Sequence, residues 1–125
     1  MVAQPGGFFV DAVLNDDVKA RFLVDTGASN VLISRRLAEK LGFSVDSLPV
    51  VQGQVADGRI VRMALGHLNK LRVEDSEIPN LSVSVLLENV PNLNFQDGLL
   101  GMSFLRHFNF SVNYQTRKLT LEKTS

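Results

Sequence analysis

The stretch Phe22-Leu23-Val24-Asp25-Thr26-Gly27-Ala28-Ser29-Asn30-Val31-Leu32-Ile33 is an apolar run that breaks at an acid, a hydroxyl and a glycine and then resumes. Few folds accommodate that pattern. A carboxylate at the end of so hydrophobic a run is desolvated unless something holds its charge, so Asp25 is a turn acid, half of a buried ion pair or a catalytic carboxylate. Thr26 places a hydroxyl donor and acceptor beside it, and Gly27 tolerates positive φ and leaves its N–H open to close approach. On its own the tripeptide fits an Asp-led turn as well as it fits a site.

The flanking chain reads as short strands with little helix. Phe8, Val10, Ala12 and Leu14 alternate with Phe9, Asp11 and Val13, and Asn15-Asp16-Asp17 turns the chain into Val18, Ala20, Phe22 and Val24, a hairpin that delivers the acid. After Ile33, Ser34 can cap a helix through Leu41 with Leu37, Ala38 and Leu41 on one face and Gly42 as its stop. Val50 to Val55 and Arg59 to Leu65 flank Ala56-Asp57-Gly58, and an Asp-Gly pair between strand-like runs signals a hairpin. Further strands are expected at Leu68 to Val73 and Leu81 to Leu87, followed by a polar loop, Glu88 to Gly98. Leu99-Leu100-Gly101 then leads into a helical stretch from Met102 to Phe108. Phe110, Val112 and Tyr114 alternate with Ser111 and Asn113, turn at Gln115-Thr116 and pair with Lys118 to Glu122.

At Asp25-Thr26-Gly27, between its two apolar strands, the chain resembles the aspartic proteases, and Ala28 points to the retroviral, single-lobe type. Leu99-Leu100-Gly101 matches that family's apolar-apolar-Gly segment, which passes beneath the catalytic loop. The resemblance implies an all-β, closed-barrel-like retropepsin fold with one or two short helices. A full helix after Ile33 and the Ala56-Asp57-Gly58-Arg59 tip, close to the Ala-Asn-Gly-Arg of bacterial members, bring the chain nearer the bacterial and cellular branch. The hairpin around that tip lies where the family carries its flap.

The resemblance further implies an aspartic endopeptidase in which two chains each supply Asp25 to a shared site. Such chemistry needs two acids, because one carboxylate takes a proton from water while the other protonates or hydrogen-bonds the scissile carbonyl. Carboxylates about 3 Å apart share one proton, for which the aspartic-protease dyad is a standard example. On this reading Asp25, Thr26 and Gly27 form the catalytic loop, and Ala28, Ser29 and Asn30 line the cleft with Ala56, Asp57, Gly58 and Arg59 above it. The alternative is a protease-fold domain that binds peptides without cutting them. Retroviral members carry an acid where Ser29 stands and an arginine where Met102 stands, an ion pair supporting their dimer. Both partners are absent together, which implies a differently built interface with Lys118 to Glu122, and Met1 to Gly7, as candidate interface strands.

Composition removes competing classes. At 125 residues with a single Asp-Thr-Gly, residues 1–125 read as one domain, too small for the two-lobed pepsin plan. A formal net charge of zero with both signs mixed gives no footprint for nucleic acid and no basic face for lipid. The absence of cysteine excludes disulfides, thiolate metal sites and a cysteine nucleophile. His67 and His107 lack partners at metal-ligand spacing, and Glu74, Asp75 and Glu77 read as a solvated turn, so neither metal nor cofactor is expected. The expected partners are a polypeptide and a second copy. No apolar run approaches a membrane span, and Met1 to Gly7 lacks a signal-peptide core. The compartment stays open: a cytosolic domain and the excised soluble part of a membrane-anchored or exported bacterial protein both fit.

Overall fold

The computed structural model describes residues 8–54, 58–88 and 96–123. β1 (Phe9–Leu14) and β2 (Val18–Val24) form the expected antiparallel hairpin. Its turn places Asn15 and Asp16 at φ 52° and 71°, the left-handed region that Asn and Asp tolerate best. β3 (Leu32–Ile33) resumes after the Asp25 loop and runs into α1 (Arg35–Lys40). Ser34 Oγ accepts the Leu37 N–H, and Gly42, at φ 86°, closes the helix with bonds from Gly42 N–H to Glu39 and from Phe43 N–H to Ala38. That pairing is a Schellman stop, so both ends of α1 fall where its sequence places them.

β4 (Val50–Gln54) pairs with β5 (Ile60–Val73), which pairs in turn with β6 (Ser76–Leu86). The sequence predicts two strands where β5 is one, because Gly66 reads as a break. Gly66 instead makes room: a Cβ there would lie 2.8 Å from the Phe43 ring. β6 likewise starts at Ser76 and not at Leu81, with Pro79 facing Lys70 inside the ladder. Among the described residues β3 joins β6 at Ser84 and Val85 alone, so the Pro79 region has β5 on one side and no second ladder to interrupt.

β7 (Gly98–Leu100) inserts between β2, to which it is parallel, and β3, to which it is antiparallel. The strand order β1-β2-β7-β3-β6-β5 closes through β5 onto β1, giving a six-stranded barrel from which β4 extends. α2 (Met102–Leu105) is shorter than expected, since Phe108 already belongs to β8 (Phe108–Asn113), and β8 pairs with β9 (Lys118–Lys123) in a separate sheet.

Because β3, β7 and the last three residues of β2 are covered on both faces, their apolar runs do not alternate with polar residues. Phe22, Val24, Ile33 and Leu100 join the main core with Leu14, Leu68, Leu71 and Phe104. Leu23, Leu99 and Leu32 stand opposite one another across the three strands and form a second cluster with Val61, Met63 and Leu86.

Barrel closure depends on Asn15. Its Oδ1 accepts the N–H groups of Asn69 and Lys70 at 2.9 and 3.1 Å, and its own N–H donates to the Lys70 carbonyl at 3.0 Å. Asn15→Ala should therefore lower unfolding free energy by about 1–3 kcal/mol, through two orphaned donors and a less tolerant left-handed residue. Urea unfolding checks this, and a loss below about 0.5 kcal/mol would mean that solvent replaces the side chain.

Candidate active site

Asp25 follows the last residue of β2 and is carried into the apolar interior by it. Its N–H donates to the Leu100 carbonyl at 3.2 Å, its carbonyl accepts the Ala28 N–H at 3.2 Å, and its Oδ1 accepts the Gly27 N–H at 3.0 Å. The side chain is buried, with 4% of its surface exposed, and Oδ2 has no hydrogen-bond partner among the described residues. Burial pushes the carboxyl above the ordinary aspartate range, opposed by the N–H groups of Gly27 and Ala28. One carboxylate oxygen is thus held by a backbone donor and the other is buried without a partner among the described residues.

The loop lies on a support supplied by a distant part of the chain. A Cβ at Gly101 would overlap the Asn30 carbonyl oxygen and come within 2.8 Å of that of Ala28, so only glycine lets the two backbones pass so closely. Met102 N–H donates to the Ala28 carbonyl at 2.8 Å, and Ser103 Oγ accepts the Val31 N–H at 2.9 Å. Met102, where the retroviral ion pair would have its arginine, instead packs its side chain against the main core.

Thr26 and Ala28 are half-buried, while Gly27, Ser29 and Asn30 are exposed. Ala28 packs against the cluster of Leu23, Leu32, Leu99, Val61, Met63 and Leu86, which brings the β5 arm of the β4–β5 hairpin and the Asp25 loop onto one buried apolar cluster. Gly58 and Arg59 lie exposed beyond the last ladder pair, Gln54 with Ile60, and Gly58 takes φ 88° with its carbonyl accepting from Gln54 Nε2. Ala56 and Asp57 lie outside the described residues, as do Met1 to Gly7. The sequence reading passed over Val61, Met63 and Leu86, for which no local signal exists. Ser103 is absent from it as well, its one trace in the sequence being that it is the single hydroxyl within the apolar run Leu99 to Leu105, which does not reveal its partner.

A surface cleft of about 700 Å³ lined by Val10, Ala20, Arg21, Arg72 and Asp97, among others, includes none of the loop residues. Among the described residues no group of three or more His, Asp or Glu could hold a metal ion, and no helix is long and apolar enough to cross a membrane.

The closed barrel, the Asp-Thr-Gly loop and the Gly101 crossing together define a retropepsin-like fold. Residues 10–104 match the family described as Aspartyl protease, and the chain belongs to that family. It is 34% identical over 103 residues to the uncharacterized protein RP867 of Rickettsia prowazekii (strain Madrid E), an alignment covering 82% of this chain and 42% of that protein. The chain thus spans less than half the length of this curated relative. The crystal structure of a retropepsin-like aspartic protease from Rickettsia conorii superposes with a TM-score of 0.70 at 32% identity, over 90% of this chain and 82% of the other. The retroviral protease-like domain of Ddi1 from Leishmania major shares the fold, with a TM-score of 0.61 at 21% identity over 97% and 92% of the two chains.

Proposed function

We propose that the chain is an aspartic endopeptidase that works as a homodimer, a water being activated between the two Asp25 carboxylates. The buried Asp25 Oδ2, without a partner among the described residues, carries this reading. A second Asp25 approaching it would let the pair hold one proton between them: one carboxylate then takes a proton from water while the other donates to the scissile carbonyl. Thr26, half-buried at the loop, would in this reading meet its counterpart from the other chain. The β8–β9 sheet, which among the described residues shares no ladder with the barrel, would give its strand edges to a second copy.

The substrate in this reading is an extended polypeptide. Its apolar side chains would rest on Val51, opposite Met63 in the β4–β5 ladder, and on Leu65, two residues further along β5, both exposed. The β4–β5 hairpin, with Gly58 and Arg59 beyond its ladder, would cover the bound segment.

Analytical ultracentrifugation combined with cleavage of a peptide library across pH tests the proposal. Ala28 offers no hydroxyl to the carboxylate, so the pair should keep its shared proton into the mildly acidic range, with maximal activity at roughly pH 4 to 6.5. Ala28→Ser adds a donor to the charged form and should move the acid limb of the profile to lower pH. A strict monomer at every pH, or a chain that cuts nothing, overturns the proposal. An optimum near pH 2 in the parent removes Ala28 as its determinant.

A further inference from the structure

The loop that holds Asp25 is fastened to the segment from Leu100 to Ser103 at three points. Two are backbone bonds, from Asp25 N–H to the Leu100 carbonyl and from Met102 N–H to the Ala28 carbonyl, and most side chains at those positions leave them possible. The third is different in kind: Val31 N–H donates to Ser103 Oγ at 2.9 Å, across 72 residues of sequence, and disappears with one side chain. Val31 and Ser103 are 0% and 6% exposed, so water does not readily take the place of the hydroxyl. The Val31 carbonyl accepts the Ser84 N–H at 3.0 Å, which makes Val31 the junction of the loop with β6.

We infer that Ser103 is a positioning residue for Asp25: its hydroxyl fixes Val31, the far anchor of the loop, and so sets Gly27 N–H against Asp25 Oδ1. The inference rests on the reading of Asp25 as a catalytic acid. Without the Ser103 acceptor the Val31 amide is buried and unsatisfied, and the chain relieves that by moving Val31 toward solvent. The loop between its anchors is short, so movement at Val31 displaces Gly27, whose N–H holds the carboxylate at 3.0 Å. Misplacing a reacting group by about 1 Å lowers turnover by about 10²-fold.

The test compares Ser103→Ala, Ser103→Cys and Ser103→Thr in the full chain, at a temperature where thermal unfolding shows each to be folded. Peptide cleavage supplies kcat and KM, and carbon NMR of the Asp25 carboxyl supplies its titration midpoint without substrate. Ser103→Ala should lower kcat by about 10- to 100-fold with KM changed by less than about 3-fold. Its Asp25 midpoint should rise, because a donor to the charged form has been weakened. Ser103→Thr keeps the hydroxyl and should recover both quantities, while Ser103→Cys, a weak acceptor of similar shape, should follow Ser103→Ala. If Ser103→Ala does not fold, the Cys variant carries the comparison. A folded Ala or Cys variant with the parent kcat and the parent midpoint overturns the inference, as does one that loses only thermal stability. If the parent cuts no peptide, the proposed proteolysis fails, whereas a shifted midpoint still supports the positioning by Ser103.

Discussion

Asp25→Asn should reduce peptide cleavage by roughly 10⁴-fold while leaving the barrel intact, because asparagine keeps the shape of the side chain but can neither take nor release the proton. The same substitution should change how stability depends on pH. Burial raises the Asp25 pKa, so the folded chain binds this proton more tightly than the unfolded chain does. The stability linked to it is full below the ordinary aspartate pKa of about 3.9 and is lost as pH rises through the higher folded value. Asparagine carries no such charge. Relative to the parent, Asp25→Asn should therefore gain stability from about pH 4 upward, and the gain should level off once the parent carboxyl is ionised. Circular dichroism melts of both proteins at several pH values, beside the cleavage assay, check the two halves separately. Undiminished cleavage by the purified variant would remove Asp25 from the chemistry, and parallel stability curves would show that its carboxyl is no harder to ionise in the folded chain.

Gly101→Ala should be the most damaging single-methyl change near the site. The added carbon would overlap the Asn30 carbonyl oxygen and sit 2.8 Å from the Ala28 carbonyl oxygen. Both obstacles are backbone, so no rotamer change relieves them, and the loop must lift from the Leu100–Ser103 segment. Lifting it strains the Met102 to Ala28 bond and the Val31 to Ser103 bond together. The expected cost is about 3 kcal/mol or more, at the upper end for overpacking a close contact, with cleavage lost even where the chain still folds. Gly42 supplies the control. It sits at φ 86° and, among the described residues, nothing lies within 4 Å of where a Cβ would sit, so alanine there meets backbone strain alone, about 1 kcal/mol. Denaturant unfolding of the two variants decides the matter: equal losses would mean that the crossing at Gly101 is looser than its contacts imply.

What the chain encodes locally was legible without a structure. The turn at Asn15-Asp16, the Ser34 cap and Gly42 stop of α1, the terminal hairpin and the placement of Asp25 at the end of an apolar strand depend on residues within a few positions of one another. Turn chemistry and capping act over that range. The Leu99-Leu100-Gly101 motif was visible as well, through its likeness to a known family. Three features came only from the tertiary fold. Gly66 reads as a break in any window of sequence, and only the Phe43 ring above it, 23 residues earlier, explains why β5 continues through it. Leu23, Leu32 and Leu99 lie in runs apolar on both faces, so alternation cannot say which leucines enter the main core and which form the second buried cluster with Val61, Met63 and Leu86. That choice is made by the insertion of β7 between β2 and β3, a register set between strands far apart in the chain. Ser103 is likewise one hydroxyl in an apolar run until the fold brings it to the Val31 amide. The sequence by itself determined the strand, the acid and the glycine that follows it. Long-range pairing decided what anchors the far end of that loop at Val31, because hydrogen-bond partners 72 residues apart leave no mark on local pattern.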